Sequence, residues 1–200
     1  SYFWECGVFY ACYRLEKAHS TWADAVPTTQ SGAPPTGPLS HCKPSGSPPD
    51  TDQLPAVHLT HAEAQAYCQW AGGRLPTAAE WRTAGFTELR SQPPTPWVRG
   101  TTYPWTTGHS PQGANTGDPD PGARAAPVHA TAAGVNGLHD MGANVWEWAA
   151  DARGDERRTM GGSWWYPASQ MRADVEAWKP ADFYAVYIGF RCVYDPAKQR

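Results

Sequence analysis

The side chains able to do nucleophilic, redox or metal chemistry are spread thinly along this chain. Five cysteines, Cys6, Cys12, Cys42, Cys68 and Cys192, include no pair at the C-x-x-C spacing of a zinc knuckle or a dithiol redox motif. Seven histidines, His19, His41, His58, His61, His109, His129 and His139, contain no H-x-x-x-H or H-E-x-x-H pair, the spacings that set two imidazoles on one helix face. His58 and His61 read as a solvated pair at a helix start. Ser163 lies in Gly-Gly-Ser-Trp and not in the G-x-S-x-G turn that exposes a nucleophile. Binding chemistry is better represented. Residues 161–192, "GGSWWYPASQMRADVEAWKPADFYAVYIGFRC", carry Trp165, Tyr166, Trp178, Phe183, Tyr184 and Tyr187 with almost no periodic pattern, together with Asp174 and Glu176. A packed core, a catalytic pocket and a binding face are three possible uses of such contents. Trp164 and Phe190 read as core. The five consecutive residues 183–187 cannot all point inward, so some of Phe183, Tyr184 and Tyr187 are expected at the surface, where an aromatic cluster usually means binding.

Regular elements must hold that segment in place, and few are signalled. Thr60-His61-Ala62-Glu63 forms a capping box, followed by Ala64, Tyr67, Cys68 and Ala71 at helical spacing and ended by Gly72-Gly73. Thr77 and Glu80 form a second box, which predicts a helix running to about Gly85. Residues 1–20 read as a strand and a short helix, and 27–55 as a long Pro/Gly/Ser/Thr-rich loop containing Cys42. Residues 91–160 read mostly as loop, with one short strand over Asn144–Trp148. Phe183–Ile188 reads as a strand or an extended loop.

The bulk properties agree with a loop-rich fold in which aromatics do the burying. Two hundred residues suit one domain, 1–200. Eleven Trp and nine Tyr accompany twenty Pro and nineteen Gly, which rules against a helical bundle. A net charge of −3 gives no basic stripe for nucleic acid, and no apolar run approaches the roughly 18 residues of a membrane span. Widely spaced cysteines fit disulfides, and with them an extracellular, cell-surface or periplasmic location.

In order, "WAGGRLPTAAEW", "YPW", "NGLHDMGANVWEW", "GGSW" and "GFRC" make residues 55–193 resemble the formylglycine-generating enzyme (sulfatase-modifying factor) family, a branch of the C-type lectin fold. The resemblance implies an α+β, loop-rich C-type lectin-like domain with short strands and two helices. It implies a disulfide between Cys68 and Cys192, with Cys12–Cys42 as a second pairing. It also implies structural Ca2+ at two places. The first would use Asn115 and Asp120 with the carbonyls of Thr116 and Gly122, the second Asp140 and Glu147 with the carbonyls of Ala143 and Val145. Carboxylates, amides and main-chain carbonyls on irregular loops are the hard oxygen donors that calcium takes.

The family's oxidase uses two cysteines after "GGS" to hold copper. The matching positions are Tyr166 and Met171, a phenol and a neutral thioether, which do not replace two soft thiolates. No copper is expected, and no catalytic residue is assigned. Within the family, 161–192 resembles the variable segment of diversity-generating retroelement proteins. Tyr166, Asp174, Val175 and 183–187 are all residue types encodable by codons ending in C, the product of adenine-directed mutagenesis of Asn codons. Trp164, Trp165, Gln170, Met171, Glu176, Trp178 and Lys179 are not. The resemblance implies a non-catalytic, hypervariable receptor or display protein that binds a protein or cell-surface ligand through residues 165–187. The site residues are Trp165, Tyr166, Asp174, Glu176, Trp178, Phe183, Tyr184 and Tyr187. The alternative is an accessory enzyme of the same family that lacks the copper cysteine pair.

Overall fold

The computed structural model describes residues 54–92, 103–104, 114–117, 124–128, 130–131 and 133–194. The expected N-terminal strand and helix, Cys6, Cys12 and Cys42, Asp120 and Gly122 all lie outside these residues.

Both capping boxes form. Helix α1 (His61–Trp70) starts at Thr60, whose hydroxyl accepts from the Glu63 N–H while the Glu63 carboxylate accepts from the Thr60 N–H. Helix α2 (Ala78–Phe86) starts at Thr77 with Glu80 in the same reciprocal arrangement. Arg74 grips Glu80 through two hydrogen bonds of 2.7 and 2.8 Å. This contact first, and the cap second, draws the Glu80 carboxyl down to about 2. Helix α1 ends where expected: Gly72 takes a positive φ of 84° and the Gly73 N–H returns to the Cys68 carbonyl.

Strand β1 (Trp146–Arg153) pairs antiparallel with β2 (Glu156–Met160), which pairs antiparallel with β3 (Ala177–Pro180). On its other side β1 pairs parallel with β4 (Ile188–Phe190), giving the order β3-β2-β1-β4. The strand expected over 144–148 thus begins two residues later and runs five further. The Gly154-Asp155 turn, with Gly154 at φ 56°, folds it back into β2 where a loop was expected. Strand β3 was not anticipated, and Phe183–Tyr187 is a loop that turns at residues 186–187 before β4.

The sheet has a helix on each face. On the α1 face, Trp146 and Trp148 pack with Leu59, Tyr67, Cys68 and Phe190. On the α2 face, Ala149 and Met160 pack with Trp81, Phe86 and Met141. The disulfide Cys68–Cys192 joins α1 to the residues just beyond β4, across 124 residues of sequence. Trp164 and Phe190 are core, as expected. Two polar anchors are buried with them. Glu88 accepts from the Arg90 guanidinium and from the N–H of Asn136, and Arg90 first among these contacts brings its carboxyl down to about 2. His61 is buried rather than solvated. Its ring nitrogen meets the Ala149 carbonyl at 3.1 Å, and burial lowers its pKa.

Candidate functional site

The paired glycines that open the segment are dictated by backbone geometry. Gly161 and Gly162 both have positive φ, 93° and 75°. A Cβ on Gly162 would stand 2.8 Å from the Met171 side chain, and one on Gly161 would stand 3.1 Å from the Met141 carbonyl oxygen. The chain then passes over Met171, which is buried beside Tyr103 and Ala143. One of the two positions matching the family's copper cysteines is therefore a core filler.

Backbone hydrogen bonds join three loops beneath the next residues. Ala143 N–H donates to Gly161 O, Trp164 N–H to Asn144 O, Asn144 N–H to Asn115 O, and Gly117 N–H to Tyr166 O. Ser163 and Trp164 are buried on this base, and then the chain emerges. Trp165 is 59% exposed, edge-on to Trp164 with centroids 5.1 Å apart. Tyr166 stands edge-on to Trp146 at 5.6 Å and to Tyr187 at 5.7 Å. Burial, aided by a hydrogen bond with Tyr187, pushes the Tyr166 phenol up to about 12, so it stays protonated at neutral pH.

Residues 183–187 complete the face by alternation. Phe183, Ala185 and Tyr187 pack on the α1-side core, while Tyr184 and Val186 are 42% and 41% exposed. His58 anchors this run. Its N–H donates to Ala185 O and Ile188 O, and its ring lies 4.8 Å from Tyr184. His58 itself has a φ of 68°. Trp165 and Tyr187 are 6.3 Å apart, so the two loops form one aromatic face of Trp165, Tyr166, Tyr184, Val186 and Tyr187. Val186 belongs to the 183–187 run that the sequence singled out. His58, expected as one of a solvated pair at a helix start, instead holds that run, with a φ that is visible only in the backbone.

Of the eight expected binding residues, Glu176 and Trp178 lie on the opposite face of the sheet and Phe183 packs on the core. Asp174 is held by Arg172 in a bidentate pair at 2.8 Å. Glu176 and Trp178 flank Ala177. Ala177 faces the α1-side core with Tyr166 and Phe183, so its neighbours point to the α2 face. There Glu176 accepts from Arg158 at 2.8 Å and from Arg82 at 3.5 Å, and Trp178 lies under the Arg153 and Arg158 guanidiniums.

The two expected calcium sets differ in fit. In the first, Asn115 and Thr116 offer an amide oxygen and a main-chain carbonyl of the right chemistry, and Asp120 and Gly122 lie outside the described residues. In the second, both acids are engaged. Both Glu147 oxygens accept from the buried Arg191 guanidinium, and one also accepts from the Trp81 indole at 2.8 Å. Asp140 Oδ1 accepts from the Thr131 hydroxyl at 2.6 Å. Arg191 supplies the positive charge that a calcium ion would bring, so this arrangement does not fit one. Among the described residues no group of three or more His, Cys, Asp or Glu side chains converges on a metal position.

The sulfatase-modifying factor enzyme 1-like domain matches this chain over residues 16–196. The chain belongs to that family. A formylglycine-generating enzyme of Thermomonospora curvata is 32% identical over 193 residues, covering 76% of this chain and 59% of its own length. The inactive C-alpha-formylglycine-generating enzyme 2 of Mus musculus is 31% identical over 159 residues, covering 70% of this chain and 49% of its own length. The chain thus spans about half the length of these relatives. Among solved structures, Treponema denticola variable protein 1 superposes with a TM-score of 0.60 at 18% identity, covering 77% of this chain and 78% of that one. The fold is the α+β, C-type lectin-like arrangement of the family, two helices around a mixed sheet. With that variable protein the likeness is one of fold.

Proposed function

We propose that this sulfatase-modifying-factor-like domain is a non-catalytic binder that engages a protein or cell-surface ligand through its aromatic face. The observation that carries this reading is the exposure of Trp165, Tyr184 and Val186 around half-buried Tyr166 and Tyr187 on a base that is buried throughout. Aromatic side chains give large contact area at low entropic cost, and hot spots favour Trp and Tyr. The oxidase alternative is disfavoured by the two positions that match the copper cysteines. Met171 fills the core, and Tyr166 is a phenol held protonated. Calcium, in this reading, belongs to the Asn115–Thr116 loop alone, and the Cys68–Cys192 bridge favours an oxidising location outside the cytoplasm.

Diversification of the face is the finer part of the proposal. It is tested by sequencing codons 160–192 of the gene across many cells of one culture, together with a search of the same genome for a near-copy. Substitutions clustered at Tyr166, Asp174, Val175 and 183–187, with Asn codons there in the copy, are expected. Uniform codons and no copy would overturn diversification and leave a binder of fixed specificity.

A further inference from the structure

We propose that the α2 face of the sheet carries a second binding site, for a tetrahedral oxyanion such as a phosphate or sulfate group, formed by Trp178, Arg82 and Arg158 beneath Arg153. This site is independent of the aromatic face, from which the sheet separates it.

Arg82 Nε, Arg158 Nε and Trp178 Nε1 are all buried with no acceptor. Each is a donor only, and a buried donor without a partner is disfavoured in a folded protein. Two other indoles, Trp146 and Trp164, also lack an acceptor, but each does so singly in an apolar core. On the α2 face the three side chains that carry such donors belong to one cluster. Glu176 joins Arg158 to Arg82 through its Oε1, and the Arg158 and Arg153 guanidinium carbons lie 4.5 and 4.6 Å from the Trp178 ring centroid.

Charge points the same way. The guanidiniums of Arg82, Arg153 and Arg158 face the carboxylates of Glu156 and Glu176, which leaves an excess of positive charge. Three donors on three side chains suit an anion whose oxygens diverge, as in phosphate or sulfate. A carboxylate offers its oxygens in one plane.

Access is built in. Arg153 covers the indole but is 61% exposed at the end of β1, and its ion pair is to Glu156 on the same hairpin. A rotamer change lifts it away. Glu176, 52% exposed, competes for Arg158 and would be displaced.

Trp Nε1–H and Arg Nε–H groups are directly visible by proton–nitrogen NMR, so the full chain can be titrated with inorganic phosphate at constant ionic strength. The Trp178 indole and the Arg82 and Arg158 Nε signals are expected to shift saturably, and the Trp165 indole to stay still. Trp178→Phe keeps the stacked ring, removes one donor, and is expected to weaken binding about tenfold. Arg82→Gln, on a half-exposed helix position that does not threaten folding, is expected to weaken it similarly. Glu176→Gln removes the competing carboxylate and is expected to tighten it several-fold. Phenyl phosphate binding more tightly than phosphate would mark an ester-bearing ligand, and equal binding a free anion. Shifts that do not saturate, or that are unchanged in Arg82→Gln, would overturn the site.

Discussion

Residues 162–164 and 188–193 are buried at every position, whereas between them, from 165 to 187, only Met171 is. The two regions are contiguous in sequence and share aromatic content, yet they meet opposite physical demands. The flanks are fixed by backbone: two left-handed glycines, hydrogen bonds to the 143–144 loop, parallel pairing of β4 with β1, and a disulfide to α1. The middle is held more lightly: Met171 is buried below, Phe183, Ala185 and Tyr187 are half-buried against the core, and Trp165, Tyr184 and Val186 are turned to solvent. A surface that must change or adapt is tolerated where the residues that hold it in place are different residues.

That division has measurable consequences, the largest of them in the flanks. Glu147→Ala leaves Arg191 buried without its carboxylate and is expected to cost about 4 kcal/mol in denaturant unfolding. The pair Cys68→Ser with Cys192→Ser opens the long loop and is expected to cost about 3 kcal/mol. Gly162→Ala meets both a positive φ and the Met171 side chain. It is expected to cost about 2–3 kcal/mol. Adding Met171→Ala should restore the steric part, a coupling that a double-mutant cycle reads.

Acid should act on the frame around the α2 end. The Glu88 carboxyl lies below its ordinary value in the folded state, so it contributes stability that is fully present above about pH 4.5. That contribution is lost as pH falls toward about 2. Thermal unfolding between those pH values should show this loss, and Glu88→Gln should flatten it at a cost of about 2 kcal/mol near neutrality. The smallest effects belong to the face. Trp165→Ser and Tyr184→Ser are each expected to change stability by roughly 0.5 kcal/mol or less.

Much of the frame was legible because its signals are local. Thr60/Glu63 and Thr77/Glu80 announce helix starts within four residues, and some exposure within 183–187 follows because five consecutive residues cannot all face the core. Strands β2 and β3 were not legible. Arg157, Arg158 and Lys179 give them no apolar alternation, and their partners are set by tertiary pairing. Missing β3 had a consequence for the site. Without it, Glu176 and Trp178 could not be assigned to the opposite face of the sheet from Tyr166. The engagement of Glu147 by Arg191 was hidden for a related reason, because 44 residues separate two side chains that meet only once β1 and β4 pair.

The most direct test of the account is the thermal unfolding of a single variant carrying Trp165→Ser, Tyr184→Ser and Val186→Ser together. If these side chains form a binding face on an independent frame, the midpoint stays within about 3 °C of the unaltered protein. A loss approaching that of Gly162→Ala would mean that the three are part of the core, and would contradict the division of the molecule into frame and face.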